Sequence, residues 1–301
     1  MDMDSFGSLG FGFVLVLAGC GSGGGSDRPE QTVFGGDRPV TLQVPPGYDH
    51  EVATPLLVSL HGYGVTGAVE LAYARLDNLL DDPGVLLLAP DGLVDEEGNQ
   101  FWNADTGWCC DFYSTEVDDR GYLAGLIDEV RAVWNVDPDR IYLFGHSNGA
   151  VMAYTLACDR AADIAAIIAL AGTSFVDGAD CDPGEPVSIL HIHGENDDTV
   201  LFEGGTDCLC RDCVYPGAIT TLDHWAGYDG CAATRTLDPT ALDLDVGIAG
   251  AETSVERYDA CPAGIDVELW KIAEGAHIPT LRNDFHQPTW AWLAAHAKGT
   301  R

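Results

Sequence analysis

Apolar residues arrive in this chain as short unbroken runs separated by longer stretches of helical spacing. Residues 54–61 (T-P-L-L-V-S-L-H), 84–89, 141–144 (I-Y-L-F), 164–171 and 187–192 are near-continuous apolar runs of strand length, the pattern of strands covered on both faces, and 267–272 reads as a further strand. Between them, residues 68–80, 117–134, 149–158 and 219–228 carry apolar positions at helical spacing, and 284–297 closes the chain in the same way. Residues 40–44 alternate as an early strand before the turn Pro45-Pro46-Gly47-Tyr48, and 255–258 reads as a late one. Strands alternating with helices predict an α/β fold built on a mostly parallel sheet with helices on both faces. At 301 residues, 46% hydrophobic, the chain can bury one large core, so a single folded domain is expected.

The joints between these elements carry the chemistry. Residues 140–155 read R-I-Y-L-F-G-H-S-N-G-A-V-M-A-Y-T, so Gly145-His146-Ser147-Asn148-Gly149 falls where a buried strand turns into a helix. A G-x-S-x-G match in that context forms a tight elbow: glycine two residues to either side lets the backbone turn, and the serine oxygen is thrust out at the carboxyl edge of the sheet. The N–H of Asn148 then points where an oxyanion forms, with a helix N-terminus behind it. The strand at 54–61 ends in His61-Gly62-Tyr63-Gly64, a glycine-bordered turn that offers Tyr63 N–H as a second oxyanion donor.

A serine hydroxyl becomes a nucleophile only when a base takes its proton, and the base needs an acid to fix its tautomer. The strand at 187–192 leads into His193-Gly194-Glu195-Asn196-Asp197-Asp198, and the strand at 267–272 into Glu274-Gly275-Ala276-His277-Ile278-Pro279. Ser147, Asp197 and His277 thus each follow a candidate strand, in the order nucleophile, acid, base. The His-Gly-x-x-Asp spacing favours Asp197 over its neighbour Asp198. Of the nine histidines, His61 and His146 sit inside the turns already named. His191 and His193 lie on a buried strand, where packing and loop hydrogen bonds explain them. His224, His286 and His296 fall in expected helices and His50 in an early loop, which leaves His277. Tyr63, Trp102 and Trp108 are the candidate aromatic walls of a substrate cleft. Asp118 and Asp119 stand where carboxylates cap the helix at 117–134.

Charge narrows the partners. Fourteen Lys and Arg against 48 Asp and Glu give a formal charge of −34, which excludes nucleic acid and anionic membrane surfaces as partners. Such a surface repels itself unless salt screens it, consistent with a saline setting. The N-terminal 20 residues carry an apolar core, residues 11–18, too short to span a bilayer but suited to a signal peptide. They end in Leu17-Ala18-Gly19-Cys20, a lipobox in which Cys20 is lipidated, although Asp2 and Asp4 stand where basic residues belong. Residues 1–20 therefore read as a signal peptide, 21–31 as a flexible Gly/Ser tether and 32–301 as the folded domain, exported and either extracellular or membrane-anchored through Cys20 alone. Ten cysteines suit an oxidising compartment, and with Cys20 set aside an odd number remains. Cys208-x-Cys210-x-x-Cys213 has the spacing of a partial zinc site, but no fourth ligand accompanies it, and no metal or cofactor is expected.

Taken together, Leu60-His61-Gly62, Phe101-Trp102-Asn103, Cys109-Cys110, Val117-Asp118-Asp119 with Gly121-Tyr122, the Ser147 elbow, Ala157-Cys158, His191-Ile192-His193-Gly194 with Asp197, Trp225 with Cys231, and Cys261-Pro262 are specific. The chain resembles the polyhydroxybutyrate depolymerase and feruloyl esterase family of α/β-hydrolases over most of residues 38–295. The resemblance implies an exported serine esterase of single-domain α/β-hydrolase fold, with disulfides joining Cys158 to Cys181 and Cys231 to Cys261. It implies as substrate a hydroxyacyl ester, polymeric or oligomeric, of the polyhydroxybutyrate type, with feruloyl or acetyl esters of plant polysaccharide as the alternative. A non-catalytic surface lipoprotein that keeps the fold for binding is the rival from another class; it has no need of the full set of Ser, Asp, His and oxyanion glycines. Two departures bear on the substrate: Ile278-Pro279 stands where the family carries Trp-Pro, and the Cys208 to Cys213 insertion follows the aspartate loop.

Overall fold

The computed structural model describes residues 28–104, 109–206 and 214–300. Eight strands form one sheet: β1 (Thr54–Leu60), β2 (Leu86–Leu88), β3 (Val136–His146), β4 (Ala166–Leu170), β5 (Ser188–Gly194), β6 (Arg235–Leu237), β7 (Thr253–Tyr258) and β8 (Val267–Ile272), in the order β6-β7-β8-β5-β4-β3-β1-β2. From β8 through β2 every pairing is parallel. β7 runs antiparallel to β8, and β6 antiparallel to β7. The expected mostly parallel sheet is therefore present, with an antiparallel edge.

The central strands are fully buried because helices cover both faces. Side chains alternate across a strand, so Leu56, Val58 and Leu60 of β1 and Ile141 and Leu143 of β3 meet α2 (Asp119–Val133), α3 (Asn148–Asp159) and α4 (Ala218–Tyr228) in one core. Leu57 of β1 and Tyr142 and Phe144 of β3 meet α1 (Gly67–Tyr73) and α5 (His286–Ala294) in the other. That two-sided burial is why the strands read as unbroken apolar runs rather than as alternation.

Several expected boundaries shift for local reasons. The helix expected over 68–80 stops at Tyr73, because Arg75 adopts a left-handed backbone (φ 59°) and the chain continues as a 3-10 turn, Leu76–Leu80. The strand expected over 40–44 shrinks to Val40–Thr41, paired with Val33–Phe34. The short edge strand β6, with its Arg-Thr-Leu face largely open to solvent, has too little apolar pattern to show in the sequence. At the start of α2 Asp118 accepts from Gly121 N–H as a cap, whereas Asp119 is buried against Arg38, with Arg38 Nη1 2.6 Å from its Oδ1. Cys158 is joined to Cys181, Cys231 to Cys261 and Cys109 to its neighbour Cys110. Cys20, Trp108, Cys208, Cys210 and Cys213 lie outside the described residues.

Candidate active site

Four loops leave the carboxyl ends of β1, β3, β5 and β8, which lie close together within the parallel part of the sheet. Each delivers one part of the site. At the end of β3, Ser147 has φ 53° and ψ −118°, a strained conformation for a residue with a side chain. Its neighbours explain how the turn closes: a Cβ on Gly145 would overlap the Gly149 backbone, and one on Gly149 would overlap the Leu60 carbonyl. Ser147 N–H donates to Leu170 O at 2.8 Å, tying the elbow to β4.

The loops after β5 and β8 meet by close backbone approach. A Cβ on Gly194 would overlap the Gly275 carbonyl, and Asn196 N–H donates to Gly275 O at 2.9 Å. This contact brings Asp197 Oδ2 to 2.8 Å from His277 Nδ1, while His277 Nε2 lies 2.9 Å from Ser147 Oγ. The sequence-predicted residues 147, 197 and 277 thus form one hydrogen-bonded line. Asp198 is exposed, and among the described residues its carboxylate accepts from Thr199 Oγ1 at 3.3 Å.

Asp197 is 4% exposed. Its Oδ1 accepts from Thr199 N–H (2.9 Å) and Val200 N–H (2.8 Å), and its Oδ2 faces His193 Nε2 at 3.2 Å as well as His277. Burial alone would raise its pKa, but the hydrogen bonds from His193 and His277 and the positive potential of those rings outweigh it and hold the carboxyl well below the usual range.

Tyr63 and Asn148 flank the serine. Among the described residues neither backbone N–H has a hydrogen-bond partner, as expected of groups kept for an oxyanion. The Tyr63 hydroxyl donates to Asp95 and accepts from Asn99 Nδ2 at 3.2 Å. Burial and the adjacent Asp95 push that phenol up to about 12, so it stays a donor and fixes the ring. The Asn148 side chain is locked to the Trp102 backbone: its Oδ1 accepts from Trp102 N–H at 2.7 Å and its Nδ2 donates to Trp102 O at 2.9 Å.

Trp102 corrects an expectation. It is fully buried, donates from Nε1 to His61 O at 3.1 Å, and supports Asn148 from behind instead of lining the cleft. An indole with its N–H satisfied inside the protein has no reason to face solvent.

The cleft itself has a volume of about 270 Å³ and is lined by Tyr63, Val65, Val69, Glu70, Tyr73, His146, Ser147, Thr199, His277 and Ile278. Two of these, Glu70 and His146, are titratable side chains that sequence reading did not assign to the site. Glu70 is 1% exposed; its Oε2 accepts from Gly62 N–H at 3.3 Å and lies 3.5 Å from His146 Nδ1. The signal for it was a carboxylate beside Leu71 on the inward side of a short helix. No group of side chains among the described residues is arranged to hold a metal ion.

Comparison with known proteins agrees with this geometry. Residues 48–207, more than half of the chain, match the family model described as Phospholipase/Carboxylesterase. Feruloyl esterase B of Piromyces equi is 29% identical over 80% of this chain and 42% of its own length, so the chain spans less than half of that relative. A probable feruloyl esterase C of Aspergillus terreus is 29% identical over 90% of this chain and 96% of its own. Among solved structures, the acetyl xylan esterase from Aspergillus awamori superposes with a TM-score of 0.59 at 14% identity, covering 85% of this chain and 94% of that one; the likeness is one of fold.

Proposed function

The chain belongs to the phospholipase/carboxylesterase family, and from that premise we propose that it is a serine hydrolase of carboxylic esters working through Ser147, His277 and Asp197. The observation that carries this reading is the unbroken line from Ser147 Oγ through the His277 ring to Asp197, opening into an apolar cleft. Ser147 Oγ attacks the ester carbonyl while His277 Nε2 takes its proton. Asp197 holds the Nδ1–H tautomer and stabilises the imidazolium that results. Tyr63 and Asn148 N–H groups bind the oxyanion. His277 then gives the proton to the leaving alcohol, and water repeats the sequence to release the acid. The steps as written call on protein groups and water.

For the substrate, the relatives' names favour feruloyl esters of plant polysaccharide over the polyhydroxybutyrate-type polymer that the sequence resemblance put first. Apolar walls from Val65, Val69, Tyr73 and Ile278 around the serine suit a flat aryl or short acyl group. The experiment is a panel of methyl ferulate, p-nitrophenyl acetate and polyhydroxybutyrate assayed with wild type and Ser147→Ala. Hydrolysis of the ferulate or acetate ester by wild type alone is expected; equal turnover by both proteins would remove the serine-hydrolase reading.

The protein is further proposed to be exported, with residues 1–20 as signal peptide, 21–31 as tether and Cys20 as the lipid-bearing residue. The Cys158–Cys181 and Cys231–Cys261 disulfides support an oxidising compartment. Intact-mass analysis of membrane-fraction protein is expected to show diacylglycerol on Cys20, and an uncleaved N-terminus would contradict it.

A further inference from the structure

Behind Asp197, on the face of the sheet covered by α3 and α4, lies a row of polar side chains that the ester chemistry does not use. His191 and His193 are two residues apart on β5, so both rings project to that face. Both are fully buried, as is Tyr154 of α3. Tyr154 Oη is 2.7 Å from His191 Nδ1, and His191 Nε2 is 2.9 Å from His193 Nδ1. His193 Nε2 is 2.7 Å from Val200 O and 3.2 Å from Asp197 Oδ2.

The acceptors at one end fix the first proton, and with His193 taken as a neutral ring the others follow from it. A carbonyl and a carboxylate can only accept, so His193 Nε2 carries a proton. A neutral His193 then presents a lone pair at Nδ1, which is met by an N–H at His191 Nε2. His191 is left with a lone pair at Nδ1, and the Tyr154 hydroxyl donates to it. Burial keeps His191 neutral, pushing its pKa well below the ordinary value, and likewise keeps the Tyr154 phenol protonated. Every dipole in the row therefore points its proton toward Asp197.

We propose that Tyr154, His191 and His193 are positioning residues that lock His193 as the Nε2–H tautomer and so fix the Asp197 carboxylate against His277. The role rests on the proposed function of Asp197 as the acid partner of His277. With His193 donating, Asp197 has two backbone donors on Oδ1, the His277 ring at 2.8 Å on Oδ2 and the His193 ring 3.2 Å from Oδ2, its one Nε2–H shared with the nearer Val200 carbonyl. In the other tautomer the His193 Nε2 lone pair would face both the carboxylate and the Val200 carbonyl. The carboxylate would then lose a donor and turn away from the direction in which His277 needs it.

Two measurements test this on the full chain. The first is a long-range ¹H–¹⁵N correlation of wild-type protein labelled with ¹⁵N-histidine, which reads tautomers without reference to activity. At mildly alkaline pH, His191 and His193 are each expected to show the signature of the Nε2–H tautomer. A His193 that is Nδ1–H under those conditions overturns the relay, whatever the enzyme hydrolyses. The second compares His193→Phe, which removes the donor, with His193→Gln, which returns an N–H near the Nε2 position. His193→Phe is expected to lower kcat about 10- to 100-fold with KM unchanged, the range for partners that orient a functional group, and His193→Gln to recover most of that loss. Equal losses in both variants, or full activity in folded His193→Phe, would refute the positioning role, and Ser147→Ala separately decides whether the reaction itself is the one proposed.

Discussion

His146 Nε2 donates to the backbone carbonyl of His277 at 3.3 Å, and the two rings lie 5.5 Å apart. His277 is thereby held twice, by Asp197 through its ring and by His146 through its main chain. His146 in turn faces Glu70 through Nδ1. Burial alone would lower the His146 pKa, but the Glu70 charge and hydrogen bond, together with the His277 carbonyl, outweigh it and raise the pKa.

That shift has a sign that can be measured. A histidine whose folded pKa is raised contributes stability that is complete below its unfolded pKa and disappears as pH climbs through the folded value. Glu70→Gln removes the partner charge. The melting-temperature gap between wild type and Glu70→Gln is expected to be widest in mildly acidic buffer and to narrow as pH rises through the alkaline range. A gap that widens with pH would contradict the pairing.

Asp197 behaves in the opposite sense. Its pKa is depressed, so its contribution to stability is present above the ordinary carboxylate range and is lost as pH falls through the folded value. Asp197→Asn is expected to melt below wild type at neutral pH, with the difference closing in acid. In assays it is expected to lower kcat by about 10³- to 10⁴-fold with little change in KM, because an amide no longer holds the productive His277 tautomer. Unchanged kcat would remove Asp197 from the site.

The line of Ser147, Asp197 and His277 was legible because each follows a strand whose apolar run is visible, and glycines flank each turn. Trp102 was misread because an aromatic next to a motif looks the same whether it faces the cleft or, as here, braces Asn148 through backbone hydrogen bonds. Glu70, His146 and the Tyr154–His191–His193 row depend on pairings between side chains far apart in sequence, such as Tyr154 with His191, 37 residues on. Spacing along the chain does not encode those. The vicinal Cys109–Cys110 pair was visible as two adjacent cysteines, but its connectivity was not, since cysteine counts leave pairing open.

Ile278 occupies the mouth of the cleft and is 64% exposed. Ile278→Trp adds an aromatic wall there. It is expected to lower KM for methyl ferulate about fivefold, equivalent to about 1 kcal/mol of added aromatic contact, with kcat nearly unchanged. An unaltered or raised KM would show that the acyl group does not lie against this position.

The excess of 48 acidic over 14 basic residues places most carboxylates without a cation. Salt shortens the range of their mutual repulsion. The melting temperature is expected to rise steadily from low-salt buffer to about 1 M NaCl, where the screening length is about 3 Å. A fall over that range would mean that ion pairs such as Arg160 with Asp128 and Asp163 outweigh the repulsion.

The most direct test is covalent capture of the nucleophile with a fluorophosphonate, followed by peptide mass spectrometry. One adduct on Ser147 is expected, formed in step with loss of ester hydrolysis, absent from Ser147→Ala and slowed strongly in His277→Ala. Ester hydrolysis that persists while Ser147 stays unlabelled would contradict the account at its centre.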